Sequence, residues 1–167
     1  VVPENEFCGL ADSKNLSRFE VNNFKKLDLF DKKIPTFNEL NFKASILEDS
    51  ALKNEKITNS EGAEVSWSRS NFILMSSNGM YQEFSKSQSS FILAVLASNE
   101  SSMEREYDYK SKVYFDELGN LEEVGELTAK RAIKKLNSKK IKTCRASVIF
   151  DSKVSSSLLR NLLTASS

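Results

Sequence analysis

Between Phe72-Ile73-Leu74-Met75 and Met80-Tyr81 the chain reads Ser76-Ser77-Asn78-Gly79. Asn-Gly between apolar runs is the strongest short-range signal of a β-hairpin, because both central residues of a tight type I′ turn need positive φ. A hairpin here commits the middle of the chain to antiparallel sheet. The flanks agree with it. Val65, Trp67 and Arg69 alternate with Ser66 and Ser68, and Met103 to Phe115 alternates again. Phe91 to Ala97 is a continuous apolar run, the pattern of a strand buried on both faces. The economical reading is about four antiparallel strands between 63 and 115.

The period changes on either side of the sheet. Thr36-Phe37-Asn38-Glu39 places a hydroxyl at an N-cap and a carboxylate three residues on, a capping box that satisfies two backbone N–H groups. Phe37, Leu40, Ala44, Leu47 and Ala51 then trace one apolar face, predicting a helix over about 37–54. Gly119-Asn120 ends the sheet, and Asn120 with Glu123 repeats the capping pattern. Leu121, Val124, Ala129, Ala132, Ile133 and Leu136 predict a second amphipathic helix. Ser147 to Phe150 reads as a short strand, and Val154 to Leu163 as a third helix with four leucines, Leu158, Leu159, Leu162 and Leu163, in want of a partner. Residues 1–35 read as irregular or briefly helical, punctuated by Pro3 and Pro35, with Leu27-Asp28-Leu29-Phe30-Asp31 able to pin the segment to a core. The class is α+β, an antiparallel sheet packed against helices.

Histidine is absent from all 167 residues. Ser-His-Asp and Cys-His catalysis both need an imidazole to take the nucleophile's proton near neutral pH. Catalytic zinc sites generally use two or three histidines and leave one position open for water. The remaining carboxylates suit magnesium or calcium better. Cys8 and Cys144 are the only cysteines, too few for a disulfide framework, which makes a reducing cytoplasmic setting the expectation. Formal net charge is +1, far from the cationic surplus that nucleic-acid binding requires. The densest basic run (Lys130, Arg131, Lys134, Lys135, Lys139, Lys140, Lys142) falls at a predicted helix end, where the dipole favours cations. No apolar stretch reaches the ~20 residues of a membrane span. The start, Val1-Val2-Pro3-Glu4, carries neither an initiator Met nor a signal-peptide pattern, as expected of a processed chain or a piece of a longer one.

Two local patterns invite a chemical reading. Ser50-Ala51-Leu52-Lys53 matches the Ser-x-x-Lys of penicillin-binding enzymes, but their Ser-Asp-Asn and Lys-Thr-Gly companions are missing and helix packing accounts for it. Glu104, Glu106 and Asp108 share one face of a strand at roughly 7 Å intervals, a spacing that suits a metal or an acid–base pair. The plainer expectation is a water-facing side neutralised by charges such as Lys110 and Lys112, with Met103, Tyr107, Tyr109 and Val113 on the other side.

Several segments, in order, resemble the TldD/TldE peptidase family, in its TldE/PmbA branch. Leu27-Asp28-Leu29-Phe30 is similar to the family's LDLF, and Ile57-Thr58-Asn59-Ser60-Glu61-Gly62-Ala63 to its ITNSEGA-like stretch. Ser77-Asn78-Gly79-Met80 resembles the S-H/N-G-M turn, and Met103 to Tyr109 the MERDYxY strand. Glu123-Val124-Gly125, Ala129, Arg131 and the basic stretch to Lys142 resemble the following helix and the R-K-x-x-T connection. The resemblance runs from about residue 8 to 163.

It implies that residues 1–142 are the later part of an N-terminal α+β domain and 143–167 the truncated beginning of a C-terminal domain. In the metal-bearing TldD partner the counterpart of the last helix carries H-E-x-x-x-H. Here Arg160 and Asn161 stand at the first His and the Glu, and Ala165 at the second His, so no residue of this chain is expected to be catalytic or to bind metal. Arg160-Asn161, Thr164 and Ser166 also depart from the usual TldE pattern of small residues and a His. The expectation is therefore a non-catalytic subunit of a cytoplasmic metallopeptidase for peptide maturation or degradation. It would bind no cofactor itself and would pair with a TldD-like chain that holds the zinc. Asn59, Glu61, Asn78 and Gly79 are its candidate peptide or partner contacts, and the strand edge near 72–84 a candidate for main-chain pairing with peptide. The alternative is a protein-binding regulatory module of the gyrase-modulator type.

Overall fold

A computed structural model describes residues 9–16 and 27–166. Pro3 and Cys8 lie outside the described residues. The chain divides into two compact units between Asn137 and Ser138.

The first unit is built on β1 (Ile57–Met75), β2 (Tyr81–Ser98) and β3 (Met103–Lys112). They form one antiparallel sheet in the order β1-β2-β3. Three strands form where about four were expected, because the runs around Tyr81–Phe84 and Phe91–Ala97 belong to the single strand β2, opposite an equally unbroken β1. The ladder with β2 runs on from Val65↔Phe91 through Phe72↔Phe84 to Met75↔Tyr81. β3 pairs only with Ser89–Ser98 of β2, so the distal half of the β1–β2 hairpin extends past it as a two-stranded arm.

Helix α1 (Phe37–Leu52) begins as the sequence predicts. Thr36 Oγ1 accepts from the Glu39 N–H at 3.2 Å, and Glu39 Oε2 accepts from the Thr36 N–H at 2.8 Å. Helix α2 (Leu121–Lys135) is capped by Asn120, whose Oδ1 accepts from the Glu122 N–H, one residue earlier than a capping box would place it. Leu47 and Ala51 of α1 and Ala129 and Ala132 of α2 are buried against Phe91, Leu93, Val95 and Ala97 of β2, with Phe115 and Leu118 beside them. Phe37, expected on this face, is exposed.

The two helices approach closely at Gly125, where a Cβ would run into Ser50 Oγ and the Leu47 carbonyl. Glycine in a helix interior costs about 1 kcal/mol against alanine; here it lets two backbones meet. Ser50 is buried in this contact and donates to the Leu47 carbonyl at 3.0 Å, while Lys53 pairs with Glu122 at 2.7 Å. The Ser-x-x-Lys match is thus a piece of helix packing.

Every second residue of β2 from Ser87 to Ala97 is buried, the signature of a strand with one covered face. The expectation of burial on both faces of Phe91–Ala97 is corrected at Ile92, which is 47% exposed. On β3 the expected sides are reversed. Glu106 is buried and pairs with Lys135, and Asp108 pairs with Arg131 at 2.8 Å. Met103, Tyr107 and Tyr109 are exposed instead. The cause is α2, whose basic residues reach over β3 and neutralise the carboxylates from above.

Segment Leu29–Asp31 continues the lane that β3 leaves empty. Leu29 O accepts from the Ser87 N–H at 3.0 Å, and the Asp31 N–H donates to Ser87 Oγ at 2.7 Å. The buried Asp31 carboxylate accepts from the N–H groups of Lys33 (2.8 Å) and Phe115 (2.9 Å). The Asp-flanked run does pin this segment.

In the second unit, 138–151 is irregular and α3 (Ser152–Ala165) follows, capped by Asp151 Oδ1 on the Lys153 N–H at 2.8 Å. The strand expected over Ser147–Phe150 does not form; no described residue supplies it with a ladder partner. The basic run outlasts its helix too, since Lys139, Lys140 and Lys142 lie beyond α2. No described helix is long and apolar enough to cross a membrane.

Candidate interaction surface

The sequence-predicted contact residues lie at opposite ends of the long hairpin. Asn59 and Glu61 sit at the start of β1, where the register slips between Ile57 and Asn59 and again between Ser60 and Gly62. Asn78 and Gly79 form its far turn. At about 3.3 Å per residue the two groups are some 45 Å apart along the strand. The structure does not bring them together.

Near the first pair, the slipped register lets Glu61 reach across β2 to β3. Arg105 Nε and Nη2 donate to Glu61 Oε1 and Oε2, both at 2.7 Å. The Arg105 guanidinium also lies 5.6 Å from the centroid of the Tyr107 ring, which stacks on Tyr109 at 6.3 Å. The hydrogen bonds from Arg105 hold the Glu61 carboxyl below its ordinary value, against a smaller desolvation effect. Asn59 Oδ1 turns to the N–H of its neighbour Ser60 at 2.9 Å. This corner offers a fixed ion pair and exposed tyrosine rings on the helix-free face.

The far turn departs from type I′ geometry. The Gly79 N–H donates to the Ser76 carbonyl at 3.1 Å, and Gly79 alone in the turn has positive φ (+91°). Asn78 works as a bracket. Its Oδ1 accepts from Ser76 Oγ, its Nδ2 donates to the Ala11 carbonyl at 2.8 Å, and its carbonyl accepts from Ser13 Oγ at 2.8 Å. Its polar atoms serve the fold before any ligand.

Arg160, Asn161 and Ala165 lie on α3, all exposed. A guanidinium, an amide and a methyl group cannot reproduce a His-Glu-His constellation. Among the described residues no three His, Cys, Asp or Glu side chains gather as metal ligands. Glu104, Glu106 and Asp108 each have partners, and the hydrogen bond from Tyr114 to Asp28 pushes the tyrosine hydroxyl up to about 12. Sequence reasoning missed Arg105 as the partner of Glu61, although an Arg in a strand of carboxylates was a visible signal. The Asp-flanked run was read as a pin, but its partners, Ser87 Oγ for the Asp31 N–H and the Phe115 N–H for the Asp31 carboxylate, were not.

Fold and surface define a class of α+β domain: a long antiparallel hairpin with one further strand, two helices on one face, and aromatic and ion-paired side chains on the other. The chain belongs to the PmbA/TldD metallopeptidase family. The family model described as the PmbA/TldA metallopeptidase central domain matches residues 30–136. The metalloprotease PmbA homolog of Buchnera aphidicola from Acyrthosiphon pisum is 35% identical over 162 residues, covering 95% of this chain and 35% of the relative. Metalloprotease PmbA of Escherichia coli O157:H7 is 32% identical over 159 residues, 95% of this chain and 34% of the relative. The chain therefore spans about a third of the length of these curated relatives. Among solved structures, a candidate modulator of DNA gyrase from Bacteroides thetaiotaomicron superposes with a TM-score of 0.84 at 22% identity, over 98% of this chain and 37% of its own. A similar protein from Thermotoga maritima gives 0.62 at 19% identity, over 68% and 27%. At these identities the likeness is one of fold.

Proposed function

We propose that this chain belongs to a non-catalytic subunit of a cytoplasmic TldD/TldE-type metallopeptidase that matures or degrades peptides. The single observation that supports this reading is the absence of histidine from these 167 residues; on the resemblance, Arg160, Asn161 and Ala165 would stand where a metal-bearing partner has its ligands and base. Residues 1–142 then belong to the N-terminal domain and 143–167 to the start of the C-terminal one. Zinc resides in the TldD-like partner. This chain supplies scaffold and surface: the Glu61–Arg105 pair and the Tyr107–Tyr109 rings for contact, and the edge of β1 for main-chain pairing with an extended peptide.

Size-exclusion chromatography of the chain mixed with a metal-bearing TldD-type subunit tests the assignment. Co-elution as one complex is the expected result. Independent elution at all ratios contradicts the subunit role, and a DNA affinity falling steeply with salt would favour a regulatory module instead.

A further inference from the structure

The dipeptide Asn78-Gly79 at the hairpin turn is chemically labile as well as structural. The backbone nitrogen after an asparagine can attack its side-chain Cγ, and glycine, which has no Cβ, hinders that attack least. A bond forms from Gly79 N to Asn78 Cγ, and the Cγ–Nδ2 bond breaks. Ammonia leaves, taking up the proton that the Gly79 amide gives up. Water then opens the succinimide ring at either carbonyl, leaving aspartate or isoaspartate at position 78. One water is consumed, one ammonia is released, and nothing is oxidised.

The fold engages both reacting groups. The proton that must leave Gly79 is the one donated to the Ser76 carbonyl at 3.1 Å. Asn78 Oδ1 accepts from Ser76 Oγ and from the Met80 N–H at 3.3 Å, while Nδ2 donates to the Ala11 carbonyl at 2.8 Å. Ser13 Oγ closes the bracket on the Asn78 carbonyl at 2.8 Å. We propose that Asn78 is a deamidation site guarded by residues 11–13, and that its conversion releases those residues from the turn. An aspartate at 78 has no donor for the Ala11 carbonyl, so two oxygens face each other where a hydrogen bond stood. Isoaspartate also adds a main-chain carbon to a turn closed by the Ser76 N–H on the Met80 carbonyl at 3.0 Å. Ser76, Gly79 and the 11–13 segment thus protect the same bond that holds them together.

Peptide mapping by mass spectrometry tests this on the 167-residue chain, kept at mildly alkaline pH both folded and in denaturing urea. The tryptic fragment 70–86 carries Asn78 together with Asn71, whose bulky neighbour Phe72 makes it a slow internal reference. Asn78 should convert about tenfold or more slowly in the folded chain than in the unfolded one. S13A removes one donor from the bracket and should raise the folded rate about fivefold, the factor one net hydrogen bond supplies. Its rate in denaturing urea should match the parent's. The folded rate should also stay flat through low urea, because a local opening exposes little surface. Equal rates in the folded and unfolded chain overturn the proposal. So does an S13A rate equal to the parent's, or a folded rate that climbs from the first addition of urea, which reports unfolding of the whole unit.

Discussion

Gly125 and Glu61 are both small parts of the resemblance motifs, and the structure gives each a physical reason. At Gly125 the reason is the missing Cβ, since any side chain would enter the space of Ser50 and the Leu47 carbonyl. Overpacking of this kind costs about 1–3 kcal/mol. Gly125→Ala should accordingly lower the urea midpoint of unfolding; an unchanged midpoint would mean that the helices do not meet there. At Glu61 the reason is Arg105. A carboxylate held below its ordinary 4.5 favours the folded state above that value, and the contribution is lost as pH falls through the depressed folded value. Both side chains are substantially exposed, so solvent screens the effect on stability. The titration itself is the sensitive readout. By NMR, Glu61 should titrate below 4.5 in the parent chain and move back up in Arg105→Gln. Identical titration curves would contradict the pair.

Elements were legible in the sequence wherever local chemistry decides them. The Thr36–Glu39 box set the start of α1, alternation revealed β1 and β3, and Asn78-Gly79 located the turn. Legibility failed where a distant partner decides. The runs around Tyr81–Phe84 and Phe91–Ala97 look separate, but an unbroken β1 opposite carries β2 through the polar residues between them. Ser147–Phe150 looks like a strand, yet a strand exists only with a ladder partner. The reversal of the faces of β3 depends on Arg131 and Lys135, which lie more than twenty residues away on α2. Asp31 belongs with these, because its carboxylate binds Phe115 from the far side of the sheet sequence. Asp31→Ala removes two charge-assisted hydrogen bonds from a buried site and should cost on the order of 2–3 kcal/mol. Hydrogen exchange should then rise first at the Ser87 and Phe115 amides; protection unchanged at both would refute the staple. Of the candidate contacts, the sequence located the motifs but not their separation along the hairpin, which only the strand's continuity determines.

At the scale of the whole molecule, the second of the two compact units opens with an exposed stretch without helix or strand. Residues 138–151 carry Lys139, Lys140, Lys142 and Arg145, and such stretches are where proteases nick first. Limited trypsin digestion should cut there before anywhere in 27–137 and leave the sheet and its two helices as a resistant product; early cleavage within β1 or α2 would contradict the unit boundary. On the proposed function, these residues shape a peptidase without performing its hydrolysis. The direct measurement is zinc content together with peptide hydrolysis, for the purified chain alone and for the chain mixed with a TldD-type subunit. The account predicts no stoichiometric zinc and no hydrolysis from the chain alone, with chelator-sensitive hydrolysis in the mixture. Stoichiometric zinc and chelator-sensitive cleavage by the chain alone would contradict it.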